Sequence, residues 1–325
     1  MKAMYALRLA LILSLSVIAP AQAQDAAYPS KSIRLIVAYA PGGATDVLAR
    51  KLALAFTDAL GQQVVVENRP GASGNIGSEF VARSRPDGYT LLFAPSTLIA
   101  NPLVMKDKPG FDVRRDMTAI AMVASGPLLM IVNSTGPGNL REFVAQARTN
   151  PEKFSFGTGG FGAAGHLSAE NFKVRAGIPT VPVVLYKGTA PALTDIMGGH
   201  LSAMMEPTLS AMPPLRGGKV RALAITSSKR DALFPDVPTF TEAGFPDMEF
   251  STWYGVWGPA NLPDAIQKKL SDIQRTILMS PDFKAWLAQQ GYEPSLLAGQ
   301  EFSNFLDKEA QLYTRIVSDA KIRPQ

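Results

Sequence analysis

With 325 residues, of which 46% are hydrophobic and 18% charged, the chain has the length of one large or two medium globular domains and enough apolar material for a sizeable core. Cysteine is absent and the only histidines are His166 and His200, which excludes disulfides, thiol nucleophiles and thiolate metal sites and removes any expectation of a multi-histidine metal centre. The formal charge of +5 is mild and unclustered: it suits the steering of small anions and lacks the concentrated basic patch that nucleic-acid binding needs.

The N-terminus reads as a secretory signal peptide over residues 1–23. Lys2 and Arg8 form a positive region, Leu9 to Ile18 an apolar one, and Ala21-Gln22-Ala23 follows Pro20 as a small-residue cleavage step. The apolar run is too short to span a bilayer comfortably. Cleavage after Ala23 removes two bases and no acid, so 30 Lys+Arg against 27 Asp+Glu leave a net charge of about +3 on an exported, periplasmic chain.

From there, short β-branched runs alternate with amphipathic stretches, the pattern of an α/β protein with parallel strands. Ile33 to Tyr39 reads as a buried strand, and Val47 to Leu60 as a helix with Leu48, Leu52, Phe56 and Leu60 on one face, closed by Gly61. Val64 to Val66, a helix from about Ile76, and Thr90 to Phe93 extend the theme. A second block opens with the strand Leu128 to Val132. Asn139 and Glu142 then form a capping box for a helix to Arg148. Phe154 to Phe156, Val181 to Tyr186, Leu201 to Met205 and Arg221 to Ile225 read as its further strands. An aromatic strand from Phe250 to Trp257 precedes three helices starting near Pro263, Pro281 and Gly299.

The chemistry lies in the turns. Pro41 to Asp46, Gly71 to Gly77 and Gly157 to Gly165 each lead from a strand to a helix, rich in glycine and poor in charge. Such turns leave backbone N–H groups uncovered at a helix N-terminus, where unpaired donors and the helix dipole together favour an anion. Two of them, in separate α/β blocks, could hold a small carboxylate between opposing donors.

Gly157, Gly159 and Gly162 also satisfy the G-x-G-x-x-G dinucleotide fingerprint. That motif needs an acid at the end of the next strand, where this chain has Tyr186-Lys187, so a nicotinamide-dependent enzyme is the weaker reading. No nucleophile elbow and no phosphate-binding P-loop occurs.

The run Tyr39-Ala40-Pro41-Gly42-Gly43-Ala44-Thr45-Asp46 after the first strand resembles the Bug family, the extracytoplasmic solute-binding receptors of tripartite tricarboxylate transporters. Further matches are Val66 to Gly77, Pro86-Asp87-Gly88-Tyr89-Thr90-Leu91-Leu92, Tyr186-Lys187-Gly188, Arg221-Ala222-Leu223-Ala224 and Phe234 to Gly244. In order and spacing they cover some 300 residues, a far more specific signal than any one turn.

The resemblance implies a two-domain α/β periplasmic-binding-protein fold of the Venus-flytrap, type II class. Its two crossovers fall near Ala124 to Pro127 and near Phe250 to Ser251, dividing the chain into lobe 1 (24–125 and 251–325) and lobe 2 (126–250). It implies a ligand carboxylate held by Ala40, Gly42, Gly43, Thr45 and Asp46 with neighbouring Tyr39 and Pro41 on one side, and by Thr158, Gly159, Phe161 and Ala163 on the other. It further implies no catalysis and no cofactor, with membrane transporter subunits recognising the closed form of a monomer. A sensory receptor serving a membrane histidine kinase fits the same residues.

Several positions keep a second reading. Asp46 can order its own turn, since a carboxylate would repel an anionic ligand. His166, in the first turn of a helix, is either a ligand contact or a neutral residue. Ser96 and Thr97 sit at a strand's C-terminal end and could donate to the far end of a ligand; Lys187 and Arg69 are the nearest cations or plain solvated charges. Tyr39, Phe161, Trp253 and Tyr254 could stack on a flat ligand or belong to the core. Two departures from the family pattern bear on the far end of the pocket. Val184-Leu185-Tyr186-Lys187-Gly188 stands where Val-Pro-Tyr-Lys-Gly is common, and Glu206 stands where Asp is common.

Overall fold

A computed structural model describes residues 28–106 and 108–324; residues 1–23, read above as a signal peptide, lie outside the described residues. In chain order the elements are β1 (Ile33–Val37), α1 (Ala44–Leu60), β2 (Val64–Asn68), α2 (Asn75–Ala82), β3 (Thr90–Pro95), α3 (Thr97–Val104) and the short α4 (Val113–Asp116). Then follow β4 (Met117–Asn133), α5 (Leu140–Thr149), β5 (Phe156–Thr158), α6 (Ala164–Arg175), β6 (Val183–Leu185), α7 (Thr189–Met197), β7 (Ala203–Pro207), α8 (Thr208–Arg216) and β8 (Val220–Ile225). The chain closes with β9 (Ser251–Pro259), α9 (Asp264–Met279), α10 (Pro281–Gln289), β10 (Glu293–Pro294) and α11 (Gly299–Asp319).

The strands run in the order β2-β1-β3-β9-β4-β7-β5-β6, with β8 and β10 also paired to β4. The outer pairs β1/β2, β1/β3, β5/β6 and β5/β7 are parallel, joined by the helical crossovers that parallel pairing requires. The central pairs β3/β9, β4/β9, β4/β7 and β4/β8 are antiparallel.

β4 is the spine. Its residues Met117 to Pro127 pair with β9, and Leu128 to Asn133 pair with β7 and β8, so one strand passes from the first set of strands into the second. The sequence reading recognised only its second half, as Leu128 to Val132. β9 returns the chain at Ser251, opposite Pro127. Leu48, Leu52 and Phe56 are buried, as the helical spacing predicts, in a core cluster that includes Leu35, Phe93, Val123 and Tyr254. Asn139 Oδ1 accepts from Glu142 N at 2.9 Å, while Glu142 reaches Gly138 N at 2.8 Å rather than closing the box on Asn139.

Candidate functional site

Where the two sets of strands meet, the ends of β1, β3, β5 and β7 open into helices around a cavity of about 100 Å³. Its lining includes the first residues of four helices, Ala44 of α1, Thr97 of α3, Ala164 of α6 and Thr189 of α7, together with Pro207, which precedes α8. None of these five helices has a side chain hydrogen-bonded across its N-cap; the cap positions are Gly43, Ser96, Ala163, Gly188 and Pro207. Backbone N–H groups at such ends lack intrahelical partners, and the helix dipoles place partial positive charge there. Five converging on one small cavity form an arrangement suited to an anion, with the exposed Lys187 as the one cation of its lining.

The turns are shaped so that backbone can do this. Gly42 takes φ +88, a left-handed conformation that side chains rarely adopt. At Gly159 a Cβ would lie 2.7 Å from Thr189 N, so only glycine lets the β5–α6 turn sit against the start of α7.

A model of the tripartite tricarboxylate transporter family receptor matches residues 48–322. The chain belongs to that receptor family. It is 35% identical to protein BugT of Bordetella pertussis, over 90% of each chain. An R. palustris protein solved with adipate superposes at a TM-score of 0.89 with 31% identity, covering 92% of this chain and all of that one. The periplasmic binding protein BugD superposes at 0.86 with 32% identity over 92% of this chain and all of BugD. The receptor is thus a solute-binding protein with the periplasmic-binding-protein fold, and the family is one of receptors, not enzymes, which sets aside the nicotinamide reading of the Gly157–Gly162 turn. Among the described residues no helix is long and apolar enough to cross a membrane, and no group of three His, Asp or Glu could hold a metal ion.

The receptor's cavity brings together Tyr39, Ala40, Pro41, Gly43 and Thr45 from the first turn, Thr97 after β3, Thr158, Gly159 and Ala163 from the second glycine turn, and Lys187 and Glu206. Eight other residues singled out in the sequence do not line it. Gly42 donates its N–H to Asp46 Oδ2 at 3.0 Å. Asp46 also accepts from Arg50 Nε at 3.0 Å and from Asn68 Nδ2 at 2.8 Å. Burial pushes its carboxyl up, but the Arg50 guanidinium, the Asn68 amide and the Gly42 N–H outweigh that and hold it below the usual range. Asp46 therefore braces the turn.

Ser96 is buried, its N–H bonded to Trp253 O. Phe161 lies on the His166 ring, centroids 4.6 Å apart, and His166 Nδ1 accepts the Gly162 N–H at 3.3 Å. Burial, with the Lys173 charge, pushes the imidazole down to about 4, so this pair is a neutral internal brace of the second turn. Tyr186 turns its hydroxyl to Asp195 Oδ2 at 2.5 Å.

The lining also includes Gly188, Thr189 and Thr252, which the sequence analysis did not place in the binding set, and Tyr254, which it read as either a stacking platform or core. Gly188 and Thr189 were findable, since Lys187-Gly188-Thr189 is another glycine-bearing strand-to-helix turn. Thr252 carries no such signal. Tyr254 enters from β9, stacked on Phe93 at 5.9 Å, whereas its neighbour Trp253 points into the core, donating Nε1–H to Glu309 at 2.7 Å among Phe302 and Phe305. Arg69 packs over the Phe80 ring and pairs with Glu67, outside the cavity.

A larger groove of about 900 Å³ runs along Ser125 to Pro127, Thr226 to Leu233 and Glu249 to Ser251. No helix begins in its lining, so it lacks the donor geometry of the smaller cavity.

Proposed function

We propose that this receptor captures a small organic carboxylate in the cavity between the Pro41–Asp46 and Thr158–Ala163 turns. It then delivers the solute to the membrane subunits of a tripartite transporter. The convergence of five uncapped helix N-termini carries this reading, because it provides donors to an anion without a competing side-chain partner. The adipate found in the R. palustris relative supports the ligand class. In this reading residues 1–23 direct export, 24–125 with 251–325 form one lobe and 126–250 the other. The lobes close on the solute as a monomer, and the closed form is what the transporter recognises.

The test is a thermal-shift screen of refolded protein against di- and tricarboxylates, acidic amino acids and aromatic acids. A bound acid at 100 times its Kd adds about 2.7 kcal/mol of stability. A shift confined to one class of acid supports the reading and names the class. Silence across the panel from refolded protein refutes it.

A further inference from the structure

Glu206 is an acid in the wall of an anion cavity. It is the penultimate residue of β7, one before Pro207 and the start of α8, is 3% exposed, and lines the same space as the uncapped helix ends. Its partners are hydroxyls: Ser210 Oγ donates to Oε1 at 2.5 Å, and the Thr189 side chain lies within bonding reach. No ion pair among the described residues includes it. The other charged residue of the lining, Lys187, is exposed.

The remaining groups around it supply no balancing charge. From β9 and from the segment before β10 come Tyr254 and Tyr292, both held neutral by burial. On α6, His166 is neutral above about pH 4. On α7, Asp195 accepts from Tyr186, and on α1, Asp46 is engaged by Arg50. A solute carboxylate entering a cavity of about 100 Å³ thus brings a second negative charge beside Glu206 with no buried cation to offset it. Two like charges at such range cannot both stay ionised cheaply, and a proton on one of them relieves the repulsion.

We propose that Glu206 is the residue that reads the solute, as a neutral carboxyl: capture takes up one proton from solvent, and Glu206 donates it as a hydrogen bond to an oxygen of the bound carboxylate. This inference rests on the carboxylate reading above and narrows it to solutes that present an acceptor oxygen, not an ammonium group, to β7. Burial already pushes the Glu206 carboxyl up to about 7, so a nearby anion need raise it only a little further.

The test is isothermal titration of the purified protein with adipate and with succinate between about pH 7 and 9, where both acids are almost wholly dianionic, in buffers of differing ionisation enthalpy. Affinity should fall by up to about tenfold per pH unit above pH 7, with uptake approaching one proton per solute. Glu206→Gln, which keeps a donor and cannot ionise, should bind as tightly as wild type at the acid end, more tightly at the alkaline end, and with no proton uptake. The wild-type calorimetry stands alone if that variant does not fold.

Binding without proton uptake, binding that strengthens as pH rises, or a Glu206→Gln protein weaker than wild type at pH 8.5 would overturn the inference and leave the carboxylate reading intact. Failure of every acid in the panel to bind refolded protein defeats both.

Discussion

The two turns that face each other across the cavity present the same backbone donors but are held in place by opposite means. The Pro41–Asp46 turn is tied down by charge: Asp46 gathers Gly42 N–H, Asn68 and Arg50 into one cluster within its own strand-helix unit. The Gly157–Gly165 turn is tied down by shape: Phe161 on neutral His166, Gly159 against Thr189 N, and Gly165 so close to the Met205 carbonyl that a Cβ would collide with it. A charge-braced turn tolerates crowding and fails when its acid is removed or protonated; a shape-braced turn tolerates salt and fails when a methyl is added or its imidazole is forced to charge.

The largest expected effect is the acid response of the second turn. The His166 pKa is lowered in the folded state, to about 4 from 6.5, so below 6.5 the unfolded chain binds a proton that the folded chain refuses. Stability should therefore drop as pH falls from about 6.5 towards 4, by up to about 3 kcal/mol. Denaturant melts of wild type and His166→Gln at several pH values check it, and an unchanged slope in the variant would deny His166 this part. Next, Gly165→Ala should cost roughly 2 to 3 kcal/mol and weaken carboxylate binding, since α6 must move off β7 to admit the methyl. If the variant melts like wild type and binds normally, packing does not set this turn.

Asp46→Ala should cost roughly 1 to 2 kcal/mol, less than a buried charge pair because Arg50 is half exposed and can rehydrate. Its acid dependence lies lower than that of His166. Asp46 has a depressed folded pKa, so its stabilisation is complete above the unfolded carboxylate value and is lost only as pH falls through the folded one. Melts below about pH 4 separate the two turns. The smallest effect is expected at Glu67, which pairs with Arg34 and Arg69 at the surface. Glu67→Gln should change stability by less than about 1 kcal/mol and leave binding alone, checked by the same melts and titrations.

Much of this architecture is legible along the chain because its signals are local. Glycine turns between β-branched runs and amphipathic helices mark β1–α1, β5–α6 and the three C-terminal helices within a few residues. The strand Met117 to Pro127 was not legible: its partners β9 and β10 lie more than 100 residues downstream, and Gly126-Pro127 reads locally as a break. β9 shows the same limit on a single residue pair. It is buried on both faces, so alternation cannot tell which of Trp253 and Tyr254 faces the cavity, and a shift of one residue exchanges them.

The sequence by itself determined the receptor family, the α/β class and the two turns that line the cavity, since each rests on short-range turn chemistry or on ordered motifs. Tertiary structure alone decided that five helix ends converge, that Asp46, Phe161 and His166 brace their turns, and that Glu206 stands buried in the cavity wall without an ion-pair partner. Those outcomes depend on side-chain direction and on partners distant in the chain, and burial makes their electrostatic consequences large.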